Sequence, residues 1–388
     1  MAAAVPPPCS QRQVVPLDEE QEEFATSLPL HICVGNPVGR GTSGEVSPIL
    51  RAIDGGRYVV KEVKRTPSEA IKTGAAGDIE ESLLHEVRLH RRCSAGCAAV
   101  VRYNFAYLTQ EALLVLMEAC DAILWDAIVG DGEAWSRLAG PSAEQQLSAE
   151  ERWVVTSDLC GAVRHCHDLQ VLHRDVNPWN VFLVRQFASH PSQPRVTARL
   201  GDFGLAAEVP SGKEGHFSGL EAAGAVALDE SALGSLYSAP ELGGTSYGFA
   251  ADVFSLGMTL FALWAAPGCR GDADALTTLV EKAKEVAAAA ASGEQAGLAN
   301  TPAAQAPGAG GGAAPPLEPL ADLRDAGGRE AALRALILRM VSGAASLRPS
   351  SAEACEALAA DRGKDQKVRR GWLPCCRIWS RPAADLLE

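Results

Sequence analysis

Positive charge is scarce in this 388-residue sequence, which has 35 Lys and Arg against 48 Asp and Glu and a net charge of −13. This balance argues against a protein that binds nucleic acid or an anionic membrane with its whole surface. The first eight residues lack the charged start and the apolar core of a secretory signal. The longest nearly apolar stretch, residues 253–266, is too short to cross a bilayer as a helix. We therefore expect an intracellular protein, cytoplasmic or nuclear, with no nucleic-acid partner.

The cysteines are not arranged as a disulfide framework or as a zinc site. There are 11 of them, scattered and odd in number, and Cys93 and Cys97 lie four apart with no second pair nearby. We expect reduced, free thiols. Hydrophobic residues make up 47% and charged residues 21% of the chain, so a sizeable core can form. The length suits two or three domains, or one large domain of two lobes.

The stretch HRDVNPWN places a carboxylate, Asp175, and an amide, Asn180, five positions apart. Pro178 fixes its own φ and disfavours helix at the preceding residue, so the stretch is predicted to be a loop. The apolar run at residues 181–184 predicts a short buried strand directly after it. A second carboxylate, Asp202, follows in LGDFG. Two carboxylates and an amide, each on a turn beside a strand, suit a divalent metal ion that prefers oxygen ligands.

A glycine-rich string, GRGTSGEV, lies near the start of the chain. Its glycines at positions 39, 41 and 44 have no Cβ, so their backbone N–H groups can approach an anion closely. A dinucleotide-binding fold would need a helix directly after the string, whereas residues 46–53 predict a strand and hence a hairpin. Lys61 stands in the next predicted strand. An isolated strand lysine is usually a solvated edge residue, and the glycine-rich string is what favours a phosphate contact.

In this order, HRDVNPWN and GDFG resemble the catalytic and metal-binding loops of eukaryotic protein kinases, and the glycine-rich string resembles their nucleotide loop. The resemblance covers about residues 33–358. It implies an α+β, bilobal fold with a small β-rich N-lobe and a larger, mostly helical C-lobe. It also implies that Asp175 accepts the proton of the substrate hydroxyl and that Asn180 and Asp202 bind Mg²⁺. ATP would be the phosphoryl donor and a protein the substrate.

The resemblance also implies which residues hold the nucleotide. Lys61 would bind the α- and β-phosphates, and Glu86, on a helix predicted from its apolar spacing, would pair with Lys61. A solvated helix charge is the plain alternative for Glu86. Val59 stands where the family usually has alanine, and its extra methyl groups would narrow the adenine slot. The remaining implied contacts are Gly39, Gly41 and Gly44 at the phosphates, Val46 above the adenine, Met117 as gatekeeper, and the backbone of Glu118 to Cys120 beside the adenine.

Later motifs of the family follow in order. The sequence SAPE at residues 238–241 would close the activation loop, and Arg174 would partner a phosphate or an acidic substitute there. Asp252 is expected to cap backbone groups of the catalytic loop, and Arg348 to pair with Glu241. The candidate phosphorylation sites are Ser211, Ser218, Ser231 and Ser235, with Ser231 and Ser235 favoured among them. An ordinary surface serine is the plainer alternative at each single position.

Four segments are predicted: a disordered tail at residues 1–30, the N-lobe at 31–118, the C-lobe at 119–359 with a flexible insertion near 287–320, and a basic tail at 360–388. In the basic tail, Cys375 and Cys376 lie among Trp, Lys and Arg residues. This pattern fits a palmitoylated anchor with weak membrane association, and it fits equally an unstructured end or a segment packed on the lobe.

The combined reading is an ATP- and Mg²⁺-dependent serine/threonine protein kinase. Asn177 stands where such kinases usually carry a lysine that meets the γ-phosphate, so we expect a slow enzyme whose kcat rises on Asn177→Lys. Tyrosine kinases also lack that lysine, but their loop usually carries arginine or alanine nearby.

Two alternatives to an active protein kinase remain. A pseudokinase, which would serve as a nucleotide-binding scaffold, is the alternative from another class. A small-molecule kinase of similar fold is disfavoured by SAPE and by Arg348. Within the family, residues 100–107, residues 181–183 and Phe254 are similar to the translation-initiation-factor and Wee-type kinases.

Overall fold

A computed structural model shows two compact units, one formed by residues 1–96 with 101–120 and the other by residues 97–100 with 121–388. The described residues are 15–16, 31–33, 37, 39–41, 44–51, 57–64, 76–108, 112–130, 135, 138, 146–185, 196–209, 235–243, 247–269, 271–291 and 329–362. Most of the predicted N-terminal tail, the insertion beyond residue 291 and the basic tail beyond residue 362 lie outside these residues. The predicted segment boundaries stay predictions.

The first unit is built on a seven-stranded antiparallel sheet with the strand order β1-β6-β7-β5-β4-β2, in which β3 pairs with β4. Its strands are β1 (Val15–Pro16), β2 (His31–Cys33), β3 (Gly39–Gly41), β4 (Gly44–Arg51), β5 (Arg57–Lys64), β6 (Tyr103–Leu108) and β7 (Ala112–Glu118). Among its described residues, this unit contains one helix, α1, Ala76–Ser94.

The two faces of this sheet bury different side chains, because successive residues of a strand point to opposite faces. On one face, Leu113 and Val115 of β7 pack with Tyr103 and with Val87 of α1. On the other face, Leu116 packs with neighbouring strand residues. The alternation in β7 therefore fixes which face receives α1.

The second unit contains two small sheets, one in the order β11-β10-β8 and one that pairs β12 with β9. Its strands are β8 (Ala122–Ile123), β9 (Val171–Leu172), β10 (Val181–Arg185), β11 (Val196–Leu200) and β12 (Ala207–Glu208). Its helices are α2 (Leu124–Val129), α3 (Ala149–Asp168), α4 (Phe249–Cys269), α5 (Ala273–Ala291), α6 (Arg329–Met340) and α7 (Ser351–Arg362), with 3₁₀ turns at Pro240–Gly243 and Ala345–Leu347.

Ser148 and Glu151 match the sequence pattern of a helix start, and helix α3 begins directly after Ser148. Ser148 is the N-cap, its hydroxyl accepts from the Glu151 N–H at 3.3 Å, and Glu151 in return accepts from the Ser148 N–H at 3.0 Å. This reciprocal capping box satisfies two backbone donors that the first turn would otherwise leave without partners. The helix then runs to Asp168, three residues before β9, and so leads directly into the loop that begins at His173.

Helix α4 is longer than the apolar stretch at residues 253–266 that the sequence analysis considered too short to cross a bilayer. Residues 253–266 alone are too short to span a bilayer, but the helix extends to 21 residues and is long and apolar enough to do so by composition. In its most apolar window, 89% of the residues are buried inside the protein. Packing in the core therefore accounts for its composition without a membrane.

The predicted α+β class is confirmed, with a β-rich first unit and a mostly helical second unit. Strand boundaries differ from the predictions by a few residues at most. The β-branched and aromatic residues at positions 100–107 predict one strand. In the structure β6 begins at Tyr103, and Val100 instead forms an isolated parallel bridge to Leu200 in the second unit. Residues 66–78, which include Gly74 and Gly77, predict an inserted loop, but residues 76–78 already belong to α1, which begins at Ala76.

Candidate active site

In the first unit, Lys61 of β5 and Glu86 of α1 form a salt bridge. Lys61 Nζ lies 2.7 Å from Glu86 Oε1, and the two side chains are only 8% and 15% exposed. Low exposure strengthens the attraction and makes the loss of either partner costly. The geometry brings together the two residues that the sequence analysis paired.

The sheet register places the predicted adenine-contacting side chains on the same face as Lys61. Val46 lies opposite Lys61 in the β4–β5 pair, and Val59 lies opposite Met117 in the β5–β7 pair. Since Val59 and Lys61 are two residues apart on one strand, both point to the same face. Val46, Val59 and Met117 therefore border Lys61.

The glycine-rich string forms the predicted hairpin. Gly39 pairs with Val46, and Gly41 pairs with Gly44 across β3 and β4. Gly44 has φ +136°, and a Cβ there would lie 2.4 Å from the carbonyl oxygen of Glu62. Only glycine fits both this φ and this close approach. The tip of the string, residues 42–43, lies outside the described part of the chain.

The segment that follows β7 is anchored to the chain before β6. The Glu118 N–H donates to the Arg102 carbonyl at 3.0 Å, and the Glu118 carboxylate accepts from the Arg102 N–H at 2.7 Å. Two residues later, Cys120 is half-buried and forms no disulfide. These two hydrogen bonds therefore hold Glu118, the first residue of the predicted adenine-binding backbone, in place.

In the second unit, two amide side chains hold the Asp175 carboxylate. Asn177 Nδ2 donates to Asp175 Oδ1 at 2.7 Å, and Asn180 Nδ2 donates to Asp175 Oδ2 at 2.6 Å. Asn180 Nδ2 also reaches the Asp175 carbonyl at 3.0 Å. Each carboxylate oxygen therefore has a neutral donor, which fixes the orientation of the group.

Asn177 also shapes the loop. Its Oδ1 accepts from the N–H groups of Trp179, at 3.0 Å, and Asn180, at 3.2 Å. This arrangement, in which an Asx side chain replaces a backbone acceptor, stabilises tight turns. These two accepted hydrogen bonds are additional to the one that Asn177 donates to the Asp175 carboxylate.

His173 connects the catalytic loop to the loop that contains Asp202. Its Nδ1 accepts from the Asp175 N–H at 3.3 Å, and its Nε2 lies 3.1 Å from the Gly201 carbonyl oxygen. Phe203 packs edge-on against the His173 ring at 4.8 Å. His173 is fully buried and, through these hydrogen bonds, braces the catalytic loop.

Asp202 adopts a backbone conformation that is uncommon for residues other than glycine. Its φ is +59°, and its Oδ1 accepts from the Gly204 N–H at 3.2 Å. Among the described non-glycine residues, Gln170 and Arg174 are the others with positive φ. Two of these three residues lie in the candidate site, because Arg174 directly precedes Asp175 and Asp202 is a candidate metal ligand. This fits the tendency of strained backbone to occur at functional sites.

Asp252 of α4 caps the catalytic loop as predicted. Its two oxygens accept from the N–H groups of His173 and Arg174, both at 2.8 Å, and His167 Nε2 lies 3.0 Å from Oδ2. Burial alone would raise the pKa of Asp252, but these hydrogen bonds and the nearby histidines lower it below its ordinary value. The fully buried carboxylate is therefore retained in its charged form.

The pKa of Asp175 moves in the opposite direction. Burial raises it above the ordinary value of 3.8, and the charge of Asp202 raises it further, against the lowering effects of His173, Asn180 and Asn177. The net shift is upward. A raised pKa makes an ionised carboxylate a better proton acceptor.

The oxygen donors beside Asp175 fit a magnesium ion that is held partly by phosphate. Asn180 turns its amide nitrogen toward Asp175, so its oxygen is directed elsewhere and can act as a ligand alongside Asp202. Within the described residues there is no cluster of three or more His, Cys, Asp or Glu side chains that could hold a metal. Mg²⁺ usually takes one or two protein ligands and completes its shell with phosphate oxygens and water.

The late arginine forms the predicted structural pair. Arg348 is 7% exposed and donates through both terminal nitrogens to the Glu241 carboxylate, with Nη2 at 2.9 Å from Oε2. Of the candidate phosphorylation sites, only Ser235 lies among the described residues, where it is half-buried. Its carbonyl accepts from Lys284.

Three contacts near the site had no signal in the sequence. Arg174 donates to the Tyr247 hydroxyl at 2.9 Å, and Trp179 stacks on Trp125 with ring centroids 4.5 Å apart. His167 Nδ1 lies 3.0 Å from Ser351 Oγ. Each pair is at least 54 positions apart in the chain, so no local spacing could have indicated it.

Comparison with known proteins adds independent evidence. The family model for the protein kinase domain matches residues 33–358. Calcium-dependent protein kinase 27 of Arabidopsis thaliana is 24% identical over 231 residues, covering 59% of this chain and 40% of the relative. MAP kinase kinase skh1/pek1 of Schizosaccharomyces pombe is 27% identical over 227 residues, covering 58% and 52%. Human MAP kinase-activated protein kinase 2 is 26% identical over 231 residues, covering 58% and 47%.

The chain thus spans about half the length of the relatives that it matches. None of these three is a translation-initiation-factor or Wee-type kinase by name, so that resemblance stays a prediction. The family model, in contrast, covers most of the sequence and includes every residue of both groups described above. The chain belongs to the protein kinase family.

Proposed function

We propose that this chain is an active serine/threonine kinase, which transfers the γ-phosphoryl group of ATP to serine and threonine hydroxyls of protein substrates. One observation carries the proposal: the Asp175 carboxylate is held by the amides of Asn177 and Asn180, close enough to Asp202 for the two charges to interact. A binding scaffold would have no need of a carboxylate oriented in this way.

In the proposed reaction, Asp175 positions the substrate hydroxyl and takes its proton. The hydroxyl oxygen forms a bond to the γ-phosphorus as the bond from that phosphorus to the β–γ bridging oxygen breaks, so ADP leaves. The amides of Asn177 and Asn180 keep the carboxylate aimed throughout. Orientation of this kind supplies much of the rate of phosphoryl transfer, since the transition state involves little covalent chemistry with the protein.

The residues of the first unit would bind the nucleotide. Lys61, kept in place by Glu86, would contact the α- and β-phosphates, and the backbone around Gly44 would cover them. Asn180 and Asp202 would hold Mg²⁺, which when bound neutralises charge on the phosphates. That the residues of both units act on a single nucleotide is part of the proposal.

The choice of serine and threonine over tyrosine rests on the loop itself. Between Asp175 and Asn180 the chain reads VNPW, without the arginine or alanine that tyrosine kinases usually carry there. The Glu241–Arg348 pair favours a protein rather than a small molecule as substrate, because it belongs to the motif set of protein kinases.

An intracellular site of action is also proposed, cytoplasmic or nuclear. Seven cysteines in the described part of the chain, Cys93 and Cys97 among them, form no disulfide. Free thiols are the usual state in reducing compartments.

The test is transfer of labelled phosphate from Mg-ATP to the full-length chain and to a generic protein substrate, followed by phosphoamino-acid analysis. We expect phosphoserine and phosphothreonine from the wild type and a loss of at least about 100-fold in Asp175→Asn and Asp202→Ala. Asp274→Asn, at an exposed position of α5, is the matched control and should behave as wild type. Equal labelling by the wild type and both site variants would support the scaffold instead, and phosphotyrosine alone would contradict the specificity.

A further inference from the structure

Trp179, in the catalytic loop, is a large apolar side chain that is partly exposed to solvent. Its side chain is 43% exposed, and within the described part of the chain Leu347 is the other large apolar side chain that is exposed. A single exposed aromatic residue is ordinary on a protein surface and carries no meaning alone. The surroundings of Trp179 are what make it informative.

The Trp179 ring is held in a fixed position. It stacks on Trp125 with centroids 4.5 Å apart and an interplanar angle of 24°, and it meets the buried Tyr237 ring edge-on at 5.7 Å. The backbones are joined as well, because the Trp125 N–H donates to the Pro178 carbonyl at 3.2 Å. The Trp179 N–H is in turn bound by Asn177. The exposed ring is therefore a rigid platform.

This platform adjoins the proposed catalytic group. Trp179 lies between Asn177 and Asn180, the two residues whose amides hold Asp175. A peptide whose hydroxyl reaches Asp175 brings its neighbouring side chains close to this part of the loop, since each extended residue advances the chain by about 3.3–3.6 Å.

Elsewhere in the second unit, two buried tryptophans each have an arginine guanidinium over the ring. The Arg329 guanidinium lies 3.7 Å from the Trp153 ring centroid, and that of Arg152 lies 5.1 Å from Trp264. Among the described residues, no cation covers Trp125 or Trp179. Tryptophan is the ring that attracts a guanidinium most strongly.

The charge of the site favours the same kind of occupant. The chain carries a net charge of −13, and the Asp175 and Asp202 carboxylates lie in the catalytic region. Negative charge of this kind attracts basic peptides and raises their rate of encounter. An apolar side chain would gain from the ring but not from the charge.

We infer that Trp179 is a specificity-determining residue that receives an arginine side chain of the peptide substrate, a few residues from the phosphorylated serine or threonine. The inference rests on the proposed function, because the peptide is placed by its hydroxyl at Asp175. It deepens that function by naming the substrate class, arginine-containing peptides.

The test uses serine peptides that differ at one position, from four residues before the serine to four after it, with Arg, Leu, Phe or Ala at that position. For the full-length wild type we expect Arg to raise kcat/KM over Ala by about two- to fivefold at one or two positions. In Trp179→Ala that ratio should fall to about one, and in Trp179→Phe it should stay above one because a ring remains. Leu347→Ala, which removes the other exposed apolar side chain, should keep the wild-type ratio.

A binding measurement separates this inference from the proposed function. The Arg and Ala peptides are given a fluorescent label and titrated into two proteins, Asp175→Asn and the double variant Asp175→Asn with Trp179→Ala. The dissociation constants of the two peptides are then compared in each protein. Arg-selective binding that depends on Trp179, without phosphoryl transfer by the wild type, would uphold the platform and overturn the kinase activity. Phosphoryl transfer with an unchanged Arg ratio in Trp179→Ala, or with a preference for Leu or Phe, would overturn the platform and leave the kinase activity standing.

Discussion

At position 177 one asparagine side chain makes four hydrogen bonds within the catalytic loop. Two are donated to Asp175, and two are accepted from the N–H groups of Trp179 and Asn180. The donated bonds aim the carboxylate, and the accepted bonds shape the turn that carries it. The position therefore contributes to both catalysis and stability.

Substitution of Asn177 should separate those two contributions. Asn177→Lys can still donate to Asp175 and adds a charge for the γ-phosphate, so we expect kcat to rise. Asn177→Ala loses the donor, and kcat should fall by about tenfold. Neither residue can accept from the two backbone amides, so both variants should lose about 1–3 kcal/mol of unfolding free energy. Steady-state kinetics and urea unfolding measure the two effects.

The relative kcat values of the three proteins decide this prediction. We expect kcat to be highest with lysine at position 177, intermediate with the native asparagine and lowest with alanine. A lysine variant slower than the wild type would show that the turn, and not the missing charge, limits the enzyme.

The residues with a chemical role were predictable because their motifs fix residue type and spacing together. Lys61 and Glu86 are paired as expected, and Asp175 and Asn180 meet in one loop. The accepted bonds of Asn177 and the stacking of Trp179 on Trp125 were not predictable. They depend on how distant segments pack, which a motif does not encode.

At the scale of single elements, helix identity was easier to predict than strand boundaries. The apolar stripes of α1 and α6 and the capping box of α3 are local signals, and each helix forms where its signal lies. The start of β6 was misplaced because Val100 finds its partner, Leu200, in the second unit. Local β propensity cannot distinguish a residue in an isolated bridge, such as Val100, from a residue paired within the main sheet, such as Tyr103.

Two helical glycines test how closely the helices of the second unit pack. A Cβ on Gly257 of α4 would lie 2.7 Å from Met340 Cβ, whereas a Cβ on Gly161 of α3 would meet nothing within 4 Å. We expect Gly257→Ala to cost about 1–3 kcal/mol of unfolding free energy through overpacking. Gly161→Ala should instead add about 0.5–1 kcal/mol, because alanine favours helix. Equal effects of the two substitutions in denaturant unfolding would show that α4 and α6 are not in close contact.

Asp252 of α4, which caps the catalytic loop, should make the free energy of unfolding depend on pH. Since the folded-state pKa of Asp252 lies below its ordinary value of 3.8, its contribution is fully present above that pH. The contribution is lost as the pH falls through the lowered pKa, when His173 and Arg174 lose a charged acceptor. The difference in unfolding free energy between the wild type and Asp252→Asn should therefore be largest near neutral pH.

Urea unfolding from pH 7 down to about pH 3 measures this difference, which should shrink below pH 3.8. The comparison between the two proteins cancels the titration of the other carboxylates. A difference that stays constant over this range would mean that Asp252 contributes by packing rather than by charge.

At the scale of the whole molecule, the proposed function requires two groups of residues that lie in separate units. One holds Lys61 and Glu86, and the other holds Asp175, Asn180 and Asp202. If both groups act on one nucleotide, their effects on rate cannot be independent. Residues that work as a unit show strongly non-additive losses when they are removed together.

The most direct measurement is the single-turnover rate of phosphoryl transfer from Mg-ATP in Lys61→Met, Asp202→Ala and the double variant. The account predicts that each single substitution lowers the rate by at least about 100-fold. It also predicts that the double variant is scarcely slower than the slower single variant. A Lys61→Met rate within about twofold of wild type, or losses that simply multiply, would contradict it.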